Sequence, residues 1–118
     1  MPVTLLEGLR ESGITIHKMT DGFDEGDILL QKAVPVMPED TLQTLTARLQ
    51  TLLPGMMAEL ASDFCHLYEM ARPQGEGEYW PCPEESDYPV TPDMDVSGAD
   101  RILRAFYGYE CIYRNRNE

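Results

Sequence analysis

At 118 residues the chain is long enough for one compact domain with a modest core and too short for two. Its 21 acidic residues against 9 basic ones give a net charge of −12 with histidine neutral. Such a field repels phosphate backbones, which argues against nucleic acid as a partner. No apolar run approaches the roughly 18–20 residues of a membrane span. The opening MPVTLLEGLRES carries Glu7 and Arg10 and so lacks the basic start and apolar stretch of a signal peptide, which predicts a soluble cytoplasmic protein.

The first element is a helix end over residues 4–10, with Leu5, Leu6 and Leu9 at helical spacing and a stop at Ser12-Gly13. Ile14–Met19 alternates apolar and polar side chains with β-branched residues, a strand signature. Residues 20–28 read TDGFDEGDI, and Ile28–Val36 then reads as a second strand closed by Pro35 and Pro38. Two strands around this acidic loop predict a wide β-hairpin.

From Asp40 the apolar period lengthens to about 3.6, with Leu42, Leu45, Leu49, Leu52, Leu53, Met56, Met57, Leu60 and Phe64 on one face. Asp40 is expected as the N-cap, with Gln43 completing a capping box. Pro54 predicts a kink or break of this long helix near Gly55. The Met56-Met57 pair reads as core filling.

After Arg72 the sequence PQGEGEYWPCPEESDYPVTPDMD holds few apolar positions and many prolines, an extended acidic arm over 73–96 with Tyr79 and Trp80 as expected anchors on the body. The remaining segment, 97–118, begins SGADRILRAFYG and predicts a short amphipathic helix ending at Gly108. Arg101, Arg104, Arg114 and Arg116 concentrate positive charge there and read as solvated arginines. Cys65, Cys82 and Cys111 are odd in number and never CxxC, which argues against a disulfide framework and a zinc site.

The acidic loop admits three readings, and spacing decides against the first. A calcium loop of the EF-hand type places ligands at positions 1, 3, 5 and 12 around a glycine at 6. With Gly26 at position 6, Phe23 and Lys32 fall where two ligands are required. A plain turn, with Gly22 and Gly26 supplying positive φ and aspartates satisfying loop amides, accounts for the composition.

The third reading comes from context. The segment GITIHKMTDGFDEGDILLQKAVPV resembles the folate-dependent formyltransferases, a family that includes methionyl-tRNA formyltransferase, glycinamide ribonucleotide transformylase and the amino-sugar N-formyltransferases. The matching features are the Gly-Ile-Thr-Ile-His strand, a loop ending in an acidic residue followed by x-Gly, and a second strand with Gln31. EDT at 39–41 continues the likeness, and SGADRILRAFYG is similar to the stretch that opens the C-terminal domain of the tRNA and sugar enzymes.

The resemblance implies an α/β fold: a partial formyltransferase-like domain of β-hairpin, one long kinked helix, extended arm and short C-terminal helix, with residues 1–72 as the second half of the catalytic domain. It implies that Asp24 is the catalytic aspartate, which orients an imidazolium and assists proton transfer as an amine attacks the formyl group of 10-formyltetrahydrofolate. It further implies that Met19, Thr20, Asp21, Gly22 and Phe23 cradle the folate pteridine through main-chain groups, with no metal.

The sequence departs from that family in one respect. The family pairs its aspartate with an Asn-x-His motif followed by Ser-Leu-Leu-Pro on an earlier strand, and neither occurs here; the asparagines are Asn115 and Asn117. His17 reads as a structural strand histidine. The expectation is a chain inactive alone, either a remnant, a piece of a split enzyme or a shortened frame. It would work with a complementing polypeptide that bears the Asn-x-His half, or as a homodimer closing the open edge of strand 14–19. The alternative is a non-catalytic oligomeric or interaction module.

Overall fold

The computed structural model describes residues 2–84 and 88–109; Cys111, Asn115, Asn117, Arg114 and Arg116 lie outside them. In chain order come α1 (Pro2–Leu6), β1 (Glu11–His17), β2 (Ile28–Pro35), α2 (Leu42–Gln50), α3 (Leu53–Ser62), α4 (Phe64–Glu69) and α5 (Val96–Ala105). The fold is therefore mixed α/β, with β1 and β2 in one two-stranded antiparallel sheet. Among the described residues no helix is long and apolar enough to cross a membrane.

Helix α1 ends earlier than the leucine spacing predicts, and the glycine that stops it is Gly8 rather than Gly13. Gly8 has φ +64°, its amide bonds to the Leu5 carbonyl, and the Leu9 amide bonds to the Thr4 carbonyl. That pair of bonds is a Schellman ending, which satisfies the last carbonyls of the helix and needs a residue tolerant of positive φ. The chain is consequently free to enter β1 at Glu11, three residues before the predicted strand.

The capping of α2 also differs. Thr41 and Thr44, not Asp40 and Gln43, form the reciprocal box: the Thr44 amide donates to Thr41 Oγ1 at 3.2 Å and the Thr41 amide to Thr44 Oγ1 at 2.9 Å. Asp40 is instead buried just ahead of the helix, where Oδ2 accepts from the Met37 amide at 2.7 Å and Oδ1 from the Thr44 hydroxyl at 2.9 Å. A buried carboxylate is tolerable because donors meet both oxygens.

The single kinked helix resolves into three. The break falls at Thr51-Leu52, before Pro54, which sits in the first turn of α3 where a missing amide hydrogen costs nothing. A second break at Asp63 separates α4. Of the apolar face, Leu45, Leu49 and Met56 are buried, whereas Met57 is 53% exposed, which corrects its reading as core.

Two compact units organise these elements. The first gathers the described parts of Met1–Ser12, Pro35–Ala47 and Trp80–Glu118. Its core comprises Thr4, Leu5, Leu45, Ile102, Ala105 and Phe106, with α1 packed on α5 and Tyr88 stacked on Phe106 at 3.6 Å between ring centroids. Asp95 caps α5 by accepting from the Gly98 amide at 2.8 Å, and Gly108, at φ +97°, lies beyond its end as the sequence predicts. Tyr88, rather than Tyr79 or Trp80, is the aromatic that stacks in this segment; Tyr79 is 86% exposed and Trp80 also lies at the surface. The second unit holds Gly13–Val34 and Arg48–Tyr79, with Leu30, Val34, Leu49 and Met56 buried.

Candidate functional site

The hairpin loop belongs to the second unit, and two main-chain closures define it. At its base the Lys18 amide donates to the Asp27 carbonyl at 2.9 Å, and Lys18 Nζ stands 3.6 Å from Asp27 Oδ2. On the far side of β2, Ile28 and Arg72 exchange both main-chain bonds, at 2.7 and 3.1 Å, so the segment after α4 holds the start of the strand. Gln74 Nε2 adds a bond to the Gly26 carbonyl at 2.6 Å.

Neither Gly22 nor Gly26 carries the positive φ expected of them; within the loop that conformation belongs to Asp24, at φ 55°. Aspartate enters the left-handed region more readily than most residues because its short polar side chain bonds locally. Gly26 is needed for space instead. It is buried, and a side-chain carbon there would collide with the Lys18 carbonyl and crowd the His17 ring.

The left-handed turn at Asp24 places its carboxylate at the loop apex, 95% exposed, with Oδ1 3.4 Å from Nε2 of His17. His17 Nδ1 lies 2.8 Å from the Lys18 carbonyl. A carbonyl only accepts, so Nδ1 donates, and Nε2 presents a hydrogen to Asp24 when the ring is an imidazolium. His17 is thus more than a strand histidine by position: it ends β1 and faces the candidate carboxylate. The pairing escaped the sequence reading because no motif links the two. The available signal was that His17 closes the strand from which the loop departs.

The six residues singled out in sequence, Met19, Thr20, Asp21, Gly22, Phe23 and Asp24, all lie in this loop. Met19 and Phe23 are 90% and 97% exposed. Thr20 Oγ1 donates to the Gly22 carbonyl at 3.2 Å, an internal bond that shapes the turn. The acids do not converge: among the described residues no three His, Cys, Asp or Glu side chains form a group able to hold a metal ion. What the loop offers is one carboxylate beside one imidazole, flanked by exposed apolar side chains and main-chain groups.

Residues 1–60, half of the chain, match the family model described as formyl transferase. This chain belongs to the formyl transferase family. The methionyl-tRNA formyltransferase of Ehrlichia ruminantium (strain Welgevonden) is 31% identical over 111 residues, 94% of this chain and 36% of that protein. That of Anaeromyxobacter dehalogenans (strain 2CP-C) is 49% identical over 53 residues, 45% of this chain and 17% of its own. The chain thus spans about a third of the length of the curated relatives that match nearly all of it.

Solved structures agree on the fold of this family member. The methionyl-tRNA formyltransferase from Clostridium thermocellum superposes with a TM-score of 0.70 at 21% identity, over 92% of this chain and 47% of that one. WlaRD, a sugar 3N-formyl transferase solved in the presence of dTDP and 5-N-formyl-THF, gives 0.72 at 17% identity over 93% and 42%.

Proposed function

We propose that this chain supplies the carboxylate loop for formyl transfer from 10-formyltetrahydrofolate to an amine, in the manner of a methionyl-tRNA formyltransferase. The observation that carries the proposal is the Asp24–His17 arrangement at the apex of a hairpin loop that lies wholly inside the matched residues 1–60. When an amine attacks a formyl carbon it must lose a proton while an oxyanion forms on the formyl oxygen. An exposed carboxylate paired with an imidazole is suited to orient the imidazolium and take part in that proton movement. Met19–Phe23 would hold the donor, main-chain groups meeting the hydrogen-bonding edge of the pteridine and Met19 or Phe23 its flat face.

The oxyanion side of the reaction is not provided by these residues. No Asn-x-His motif occurs in these 118 residues, so in this proposal a polypeptide segment outside them bears it. An association surface is available on the second unit, where Leu53, Met57, Phe64, Tyr68 and Met70 of the α3–α4 region are all exposed. Either that polypeptide or a second copy of this chain would cover it. Sedimentation showing only a monomer at micromolar concentration would exclude the second copy.

The test is reconstitution. The chain is mixed with a polypeptide carrying the Asn-x-His half, and release of tetrahydrofolate from 10-formyltetrahydrofolate is followed in the presence of methionyl-tRNA or an amino sugar. Transfer that appears only in the mixture and disappears with Asp24→Asn supports the proposal. A folded mixture with no transfer points to the non-catalytic module, and transfer that survives Asp24→Asn removes Asp24 from its role.

A further inference from the structure

The first unit contains a cleft of about 230 Å³ that the formyl-transfer proposal does not use. Its apolar wall is built from Leu5, Val36 and Met37, and its polar lining includes Arg10, Arg101 and Arg104. Three guanidinium groups around one half-apolar cleft stand out in a chain with a net charge of −12.

The three differ in how they are engaged. Arg104 is committed: Nε donates to Asp100 Oδ2 at 2.7 Å and a terminal nitrogen to the Asp40 carbonyl at 3.0 Å. Its charge is compensated and its position fixed, leaving one face toward the cleft. Arg101 lies over Gly8, where an added side-chain carbon would come within 3.1 Å of its Cζ. The glycine that ends α1 therefore also makes room for this guanidinium. Arg10 is tied through its main chain, its carbonyl accepting from the Val36 amide at 2.8 Å. Among the described residues, neither Arg10 nor Arg101 engages a hydrogen bond or ion pair through its side chain.

We propose that this cleft is a binding site for a phosphate monoester with a small apolar body. Two arginines whose side chains engage no partner among the described residues match the charge of about −1.5 to −2 on such a phosphate at neutral pH. The planar forks of arginine suit its oxygens in a bidentate way that a solvated lysine would not. The size sets the rest of the ligand: a cleft below the roughly 300–1,000 Å³ of drug-sized pockets accommodates a few carbons or one ring beside the phosphate. The cleft belongs to the first unit and Asp24 to the second, so its occupancy can be measured without formyl transfer.

The experiment is a calorimetric titration of the whole chain at low ionic strength, where exposed charge is least screened. The probes are phenyl phosphate, inorganic phosphate and benzoate. Phenyl phosphate should bind saturably with a Kd on the order of 0.1–1 mM, and at least tenfold more weakly to Arg10→Ala and Arg101→Ala. Arg101→Lys should recover little of the loss, because charge without the fork is not enough. Circular dichroism and thermal melting establish that each variant is folded. Absence of saturable heat at about 10 mM phenyl phosphate, or equal affinity in folded arginine variants, would overturn the site. Equal binding of inorganic phosphate would overturn the ester, and tighter binding of benzoate the phosphate.

Discussion

His17 Nε2 and Asp24 Oδ1 stand 3.4 Å apart across the hairpin loop, while the other nitrogen of the same ring is held by the Lys18 carbonyl. The ring is thereby oriented from the strand side, and the carboxylate meets it from the loop side. With Asp24 almost fully exposed, this pairing shapes the loop more than it stabilises the fold. His17→Ala should leave the hairpin folded and change stability by less than about 1 kcal/mol, while backbone amide exchange in residues 19–25 accelerates. Loss of the hairpin in the same variant would show that the imidazole is a structural element.

The two loop glycines make a paired test of the close approach at Gly26. Gly26→Ala forces a side-chain carbon into the Lys18 carbonyl, a backbone atom that yields only if the hairpin base opens. A loss of about 1–3 kcal/mol in urea unfolding is expected, the range for inserting atoms into filled space. At Gly22 the obstructing group is the carboxylate of Glu25, which can swing aside. Gly22→Ala should therefore stay within about 0.5 kcal/mol.

Burial divides the adjacent methionines of α3. Met56 is wholly buried, and Met56→Ala should cost about 2–5 kcal/mol through lost transfer energy and the cavity left behind. Met57→Ala on the exposed side should change the urea midpoint little, unless the α3–α4 face is covered in solution. A large loss at Met57 would itself reveal that cover, and its dependence on protein concentration would show whether the cover is a second copy.

At the start of α2, Thr41→Ala removes one half of the reciprocal cap and should cost about 1 kcal/mol. Thr44→Ala should cost more, because it also takes a hydroxyl donor from the buried carboxylate of Asp40. Thermal melts of both variants and the double variant would show the coupling as non-additivity.

Much of this fold was legible from periodicity. The strand alternation, the acidic loop between two strands, the helical face carrying Leu45, Leu49 and Met56, and the end of α5 before Gly108 all follow from spacing and residue type. The misses share a cause in choices among near neighbours. Gly8 and Gly13 are both competent helix stops, and residue type alone does not choose between them; the chain turns at Gly8, and Gly13 lies inside β1. Asp40 and Thr41 are both good caps, and burial of Asp40 leaves the role to Thr41. Pro54 marks a helix interruption, but its missing amide is tolerated inside a first turn, so the break precedes it. The resemblance located the candidate site on Asp24 and its loop; the partnership with His17 needed a left-handed residue that composition assigned to glycines.

The Ile28–Arg72 bridge gives the loop a second fastening independent of the hairpin's own ladder. Strand pairing holds one side of β2 and the segment after α4 holds the other, so the exit of the loop is clamped from both directions. Opening of residues 19–25 is then a local event with fixed ends, like a drawbridge on anchored posts. In hydrogen exchange the amides of Lys18 and Ile28 should remain protected while those between them exchange freely, and a ligand that orders the loop would have only that short span to immobilise.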